Sequence, residues 1–193
     1  MGSSSLRVSA SLRYVWLLCA LFLPGCARTT LQASVADQFG GTKATEEMDF
    51  WDGVAVTRAV SNRDAINALV LSFGRLPQGS ATDWTTELKA AQQRDWVDVD
   101  LSPNETARVG MVARVVCIEA KIKGGATMRM FGPSERYAVK ELNFMGWLND
   151  MTTGQAMSGG QLIAVLSRAE EHIAAKADAG PEGLLKPGGA GGP

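Results

Sequence analysis

Polar and apolar positions along the middle of this chain repeat with a helical period. Ser61-Asn62-Arg63-Asp64 places an acid three residues after a hydroxyl, the signature of a helix start. Ile66, Leu69, Val70 and Phe73 then share one face, and Gly74 supplies a stop. Asp83 is placed to cap a second helix, with Trp84, Leu88 and Ala91 inward and Glu87, Lys89 and Arg94 outward. A third helix is predicted from about Thr106, with Val109, Val112, Val115 and Val116 as its buried stripe and Gly124-Gly125 at its end. Its dense β-branched valine suits a strand as well as a helix.

Ser134, after Pro133, opens a fourth helix that turns Ala138, Val139, Leu142 and Met145 inward. Ser158 with Gln161 forms a further capping box, and Leu162, Val165, Leu166, Ala169 and Ile173 line the last helix. Ala126–Phe131 differs: Thr127, Arg129 and Phe131 alternate with Met128 and Met130, which predicts a short extended connector. The expected fold is therefore mainly α, a compact bundle of about five short amphipathic helices with disordered ends. Residues 46–176 form the expected helical globular domain. The small polar stretch within 26–45 reads as a flexible tether, and the Gly/Pro-rich residues 177–193 as a disordered tail.

The first 25 residues stand apart. Met1–Arg13 carries Arg7 and Arg13 and no acid, and Tyr14–Leu23 is an unbroken apolar run. That run suits the core of a signal peptide and is about half the length a membrane-spanning helix needs. Leu23-Pro24-Gly25-Cys26 follows at once and resembles the lipobox of bacterial lipoproteins, with Pro24 where Ala or Ser is usual. The resemblance implies cleavage after Gly25 and acylation of Cys26. A mature protein with several acyl chains on one residue is held stably at a membrane. Ala27 lacks the Asp that resembles an inner-membrane retention signal, so the implied address is the outer membrane, facing the periplasm. Cys19 leaves with the leader and Cys26 is acylated, so Cys117 has no disulfide partner in an exported domain. Its apolar surroundings predict a buried, inert thiol.

Charge narrows the partners. The chain holds 19 Lys and Arg against 20 Asp and Glu, and losing Arg7 and Arg13 leaves the mature form at about −3. A generally basic, nucleic-acid-binding surface is excluded.

Two stretches together resemble a repeat of the S-layer homology family. One is Val60–Gly74, a polar cap, Arg and acid leading an apolar helix closed by Gly. In the other, Glu87–Val116, a helix ending in Gln92-Gln93-Arg94-Asp95-Trp96-Val97 leads through Leu101-Ser102-Pro103-Asn104 to Thr106, Arg108 and another apolar helix. Ala107 separates the Thr and Arg that usually adjoin, Asp95 replaces the helix-terminal Gly, and the sequence displays about one repeat rather than three. The resemblance implies binding of acidic cell-wall polysaccharide, with Arg63 and Arg108 as anion contacts and Trp84 and Trp96 as stacking groups.

Little in the sequence points to catalysis. His172 is the single His and sits near the end of the last helix, where a cationic imidazole favours the negative terminus. One His and one core Cys make no metal site, and there is neither a Gly-x-Ser-x-Gly elbow nor a phosphate-cradling Gly-Lys-Ser/Thr. Acid pairs such as Glu46-Glu47 and Asp98/Asp100 suit glycoside cleavage only if brought together in a pocket. Arg129, Arg136 and Lys140 form a candidate basic patch for a carboxylate or phosphate, with Glu135 and Glu141 close enough to neutralise it. The expected function is a non-catalytic binding or structural module of the cell envelope with no metal or cofactor. Its expected partners are membrane lipid through Cys26 and an acidic envelope polysaccharide or envelope protein. A carboxylate-only hydrolase of envelope glycans and a protein adaptor are the alternatives.

The lipobox generates a direct prediction. Cys26→Ser should abolish acylation and release the protein from the membrane fraction. Intact-mass measurement of an unmodified Cys26 in the wild type, or membrane retention unchanged by the substitution, would overturn it.

Overall fold

The computed structural model describes residues 29–31, 33–39, 44–74, 83–97 and 101–178. The leader, Cys26, Asp98, Asp100 and the tail beyond Asp178 lie outside the described residues. The domain is mainly α. We number its helices α1 (Val35–Gln38), α2 (Ala44–Ala55), α3 (Asn62–Phe73), α4 (Trp84–Gln93), α5 (Val109–Glu119), α6 (Ala126–Phe131), α7 (Glu135–Phe144) and α8 (Gly159–Asp178).

The five helices expected from periodicity are α3, α4, α5, α7 and α8, and their caps form as the side chains dictate. The backbone N–H of Asp64 donates to Ser61 Oγ, that of Thr86 to Asp83, and that of Tyr137 to Ser134. Ser158 and Gln161 bond reciprocally, each side chain accepting from the other's backbone N–H, at 2.9 and 3.3 Å. Four elements differ from expectation: α1 falls within the segment read as a tether, α2 is not among the helices that the periodicity predicts, and the other two are α6 and the start of α5. Ala126–Phe131 is a helical turn, not an extended connector: only Met128 of this segment is buried, so no half-buried sheet face exists to enforce a period of two. The third helix starts at Val109 rather than near Thr106, because residues 105–108 make bridges and backbone bonds to other chain segments.

Those bonds organise the molecule. Val60 N–H donates to Met157 O at 2.8 Å, Ala107 N–H to Val60 O at 2.8 Å, and Met157 N–H to Ala107 O at 3.3 Å. The three peptides close a ring in which each residue gives one hydrogen bond and accepts one. All three side chains are buried. Each ring residue stands just before the N-cap (Ser61, Arg108, Ser158) of α3, α5 or α8. Counting from the ring, equivalent positions are buried in all three helices: Ala65, Val112 and Leu162; Ala68, Val115 and Val165; Leu69, Val116 and Leu166. The three helices touch one another pairwise and form the core.

Each core helix is the second member of a helix–loop–helix unit: α2–α3, α4–α5 and α7–α8. The units recur about every 50 residues, a period found in repeat proteins. The second and third match closely in their turns. Asp95 and Gly146 take positive φ (60° and 71°), and the next residue, a Trp each time, bonds back to Ala91 O at 3.0 Å or Leu142 O at 2.8 Å. Both turns are helix-ending Schellman motifs, so Asp95 fills the place of the expected Gly in its left-handed conformation. The threefold pattern is hidden in the sequence because it resides in burial and backbone bonding, with few shared residue types.

Close approach fixes Gly159. A Cβ there would lie 1.6 Å from the Val54 carbonyl oxygen, so only glycine lets α8 start against the end of α2. From there α8 runs about 30 Å and ties down its neighbours. Arg168 donates to the carbonyls of Gly146 and Trp147, both at 2.7 Å, and Lys176 to those of Ala120 and Lys121 at 3.1 and 3.2 Å. Cations thus occupy the negative ends of α7 and α5.

The described part of the 26–45 segment does not run free. Leu31 N–H donates to Asn104 O at 2.7 Å, Thr106 N–H to Thr29 O at 3.1 Å, and Ser34 is fully buried. Asp64 secures the segment. Its carboxylate, 2% exposed, accepts from Ser34 Oγ at 2.8 Å, Ala36 N–H at 2.8 Å and Ser61 Oγ at 2.7 Å. A charge taken from water needs this many donors, and these three come from two separate parts of the chain.

Asp64→Ala should therefore cost on the order of 3 kcal/mol or more, since three buried donors lose their acceptor. Urea unfolding checks this; a loss under about 1 kcal/mol would mean that the N-terminal segment contributes little to the fold.

Candidate functional site

The residues singled out from sequence divide into a structural group and a surface group. Arg63 belongs to the first. Its guanidinium pairs with Asp37 on α1, its Nε lies 3.9 Å from Glu87 Oε2, and its side chain is 19% exposed. It joins α1, α3 and α4, so it is not the exposed anion contact implied by the resemblance. Glu87, expected outward, is buried beside it. Trp96 is also unavailable as a stacking group. It is 1% exposed, its Nε1 donates to Glu119 Oε1 at 2.7 Å, and the Arg94 guanidinium lies 5.2 Å from its ring centroid. Trp84 is half-buried at the start of α4 and packs against the core.

Arg108 lies at the surface, as the N-cap of α5. Its Nη2 is 3.2 Å from Glu135 Oε1, with the two side chains 34% and 30% exposed. Glu135 opens α7, which packs along α5; a Cβ on Gly110 would meet Thr153 Cγ2 at 2.5 Å and Glu135 Oε2 at 2.8 Å. This tight contact sets Glu135 on the floor of an open cleft of about 500 Å³. The α4–α5 turn (Asp95), the flank of α5 (Arg114, Ile118) and the loop Phe131-Gly132-Pro133-Ser134 complete it. Phe131, 72% exposed, forms an apolar rim.

The basic candidates adjoin this cleft in the chain. Arg129 precedes Phe131 on α6, Arg136 follows Glu135 on α7, and all of Arg129, Arg136 and Lys140 are exposed. Neither Glu135 nor Glu141 forms an ion pair with them. Glu135 is bonded to Arg108, and Glu141 Oε2 accepts from Gly125 N–H at 3.2 Å. Among the described residues Arg129, Arg136 and Lys140 enter no ion pair. Arg136 and Lys140 share a helix face one turn apart, a spacing suited to successive anionic groups.

Other titratable groups serve the fold. His172 packs edge-on against Trp147 with centroids 5.6 Å apart. Burial, then the nearby Lys176, holds its pKa below the ordinary value, which favours neutral imidazole over the cation expected at a helix end. Lys176 supplies the helix-terminal charge instead. Asp83 is held below the usual carboxylate range by its bonds to Thr86. The described residues contain no His, Cys, Asp and Glu cluster able to hold a metal ion, and no helix long and apolar enough to cross a membrane. No protein-family model, curated protein or solved structure matches this chain.

Sequence reasoning missed Asp64 as the tie to the N-terminal segment and Glu135 as the partner of Arg108. The capping-box pattern pointed to Asp64, but nothing local linked it to Ser34. Cys117 was expected to be inert, and burial, then the Glu141 charge, pushes its thiol up to about 12. Iodoacetamide at pH 8 should leave Cys117 unmodified in the native protein and label it fully in guanidinium chloride, as peptide mass mapping would detect. Rapid native labelling would contradict a closed core at α5.

Proposed function

We propose that the chain is a lipid-anchored protein of the cell envelope, held through Cys26 to the periplasmic face of the outer membrane. Its domain acts there as a non-catalytic binding module for an acidic envelope polysaccharide. The contact surface is the flank of α6 and α7 beside the open cleft, with Arg129, Arg136 and Lys140 as anion contacts, Arg108 at the edge and Phe131 as an apolar platform. The observation that carries this reading is that Arg129, Arg136 and Lys140 are exposed on α6 and α7 and, among the described residues, enter no ion pair, while Glu135 and Glu141 make their hydrogen bonds elsewhere. Solvated cations on a helix face steer and hold anionic chains with little desolvation cost. The internal threefold of helix–loop–helix units supports the S-layer-like reading at the level of architecture, while the burial of Arg63 and Trp96 moves the proposed contacts away from those two residues.

A binding role accounts for the cleft better than hydrolysis. Glycoside cleavage needs one carboxyl free to donate a proton and a second free to act as base or nucleophile. Glu135 is engaged by Arg108, and the cleft is open to solvent. A protein adaptor role makes a different prediction: loss of envelope binding after protease treatment of the envelope.

The triple substitution Arg129→Gln, Arg136→Gln, Lys140→Gln should weaken binding to purified acidic wall polysaccharide about ten-fold, with the circular dichroism spectrum unchanged. Wild-type binding should also fall as salt is raised from low to physiological strength. Unchanged polysaccharide affinity in the triple variant would overturn this assignment.

A further inference from the structure

The position at which the folded body begins has a consequence for the anchored protein. Thr29 O accepts from Thr106 N–H, Thr30 pairs with Glu105, and Leu31 N–H donates to Asn104 O, so Thr29 is already held to the folded body. The bridged segment 105–108 leads directly into the ring through Ala107 and then into α5. Three steps separate the Cα of Cys26 from that of Thr29. Whatever path Ala27 and Arg28 take, those steps reach about 10 Å at most. A domain of this size has a radius of gyration of about 14 Å, larger than the reach of its leash. A body on so short a leash cannot turn its far side to the attachment point.

We infer that the domain meets the bilayer with its ring end, through the Ser102-Pro103-Asn104-Glu105 turn and the paired Thr29–Leu31 segment, which lie against the phospholipid headgroups. This inference rests on the proposed acylation of Cys26. The surface is polar: Ser102 is exposed, and Pro103, Asn104 and Glu105 are half-buried. It suits contact with hydrated headgroups and not insertion among acyl chains. α8 begins at Gly159, whose N–H bonds to Thr57 O close to the ring, and runs about 30 Å outward. Its exposed last turns, including Ala175, therefore project away from the membrane, as do the ends of α3 and α5, which start at the same ring. Asp64 keeps the leash short, because its bonds to Ser34 and Ala36 prevent the following segment from peeling away.

The test uses the full acylated chain in phosphatidylethanolamine–phosphatidylglycerol vesicles that contain a headgroup-labelled energy acceptor. A donor dye is attached at Ser102→Cys in one sample and at Ala175→Cys in another; Cys117 is buried and does not compete for label. Transfer from position 102 should exceed that from position 175 at least two-fold. Insertion of twenty Gly/Ser residues between Ala27 and Arg28 should bring the two values together. Vesicle flotation separates the two ways to fail. If the protein does not float with the vesicles, the lipid anchor is wrong and this orientation falls with it. If it floats but positions 102 and 175 transfer equally without the spacer, the orientation is overturned and the anchor stands.

Discussion

Three backbone hydrogen bonds among Val60, Ala107 and Met157 hold the rest of the structure in place. A lone N–H or carbonyl in an apolar interior costs as much as a lost hydrogen bond, so buried peptides must find partners. These three residues precede helices and have no helical partners of their own, and no sheet is present among the described residues to supply them. They satisfy one another. In doing so they bring the starts of α3, α5 and α8 together at one point, and the apolar stripes of those helices then pack as equivalent surfaces.

The same constraint accounts for the parts around the ring. Residues 105–108 stay out of the helix because the ring and the Thr29–Leu31 segment both draw on their peptides, and α5 is correspondingly shorter at its start. Asp64 and Arg63, adjacent on the first turn of α3, then fix the N-terminal segment: one through buried hydrogen bonds, the other through ion pairs that reach α1 and α4. Glycine is required at 159 because the ring brings α8 against the Val54 carbonyl. The polar groups that look most functional at the helix starts are thus spent on assembly. Arg129, Arg136 and Lys140 lie on α6 and α7, outside the three core helices.

Much of the local structure was legible from single residues. Ser61, Asp83, Ser134 and the Ser158–Gln161 pair start helices because their side chains satisfy the first free N–H groups, an interaction confined to four residues. The stripe Leu162–Val165–Leu166 is buried because a period of 3.6 leaves it one face, whereas α3 is buried on nearly every side around Ile66–Leu69–Val70, with Asn62, Asp64 and Asn67 also inside. Ala126–Phe131 was misread because six alternating residues fit a strand only when a neighbour pairs with them, and none among the described residues does. Glu87 was placed outward since its buried partner, Arg63, lies on another helix.

The sequence by itself determined the five helices α3, α4, α5, α7 and α8, where most of them begin and which of their faces are apolar, because these depend on interactions within a few residues; α1, α2 and α6 were not legible in it. It also fixed the surface character of Arg129, Arg136 and Lys140, which no stripe draws inward. Tertiary structure alone decided the threefold ring, the docking of Thr29–Leu31, the burial of Trp96 and the separate engagements of Glu135 and Glu141. Each joins residues distant in the chain through backbone atoms or a single side-chain contact. Backbone atoms are the same in every residue, so a pairing made through them leaves almost no mark on the order of side chains.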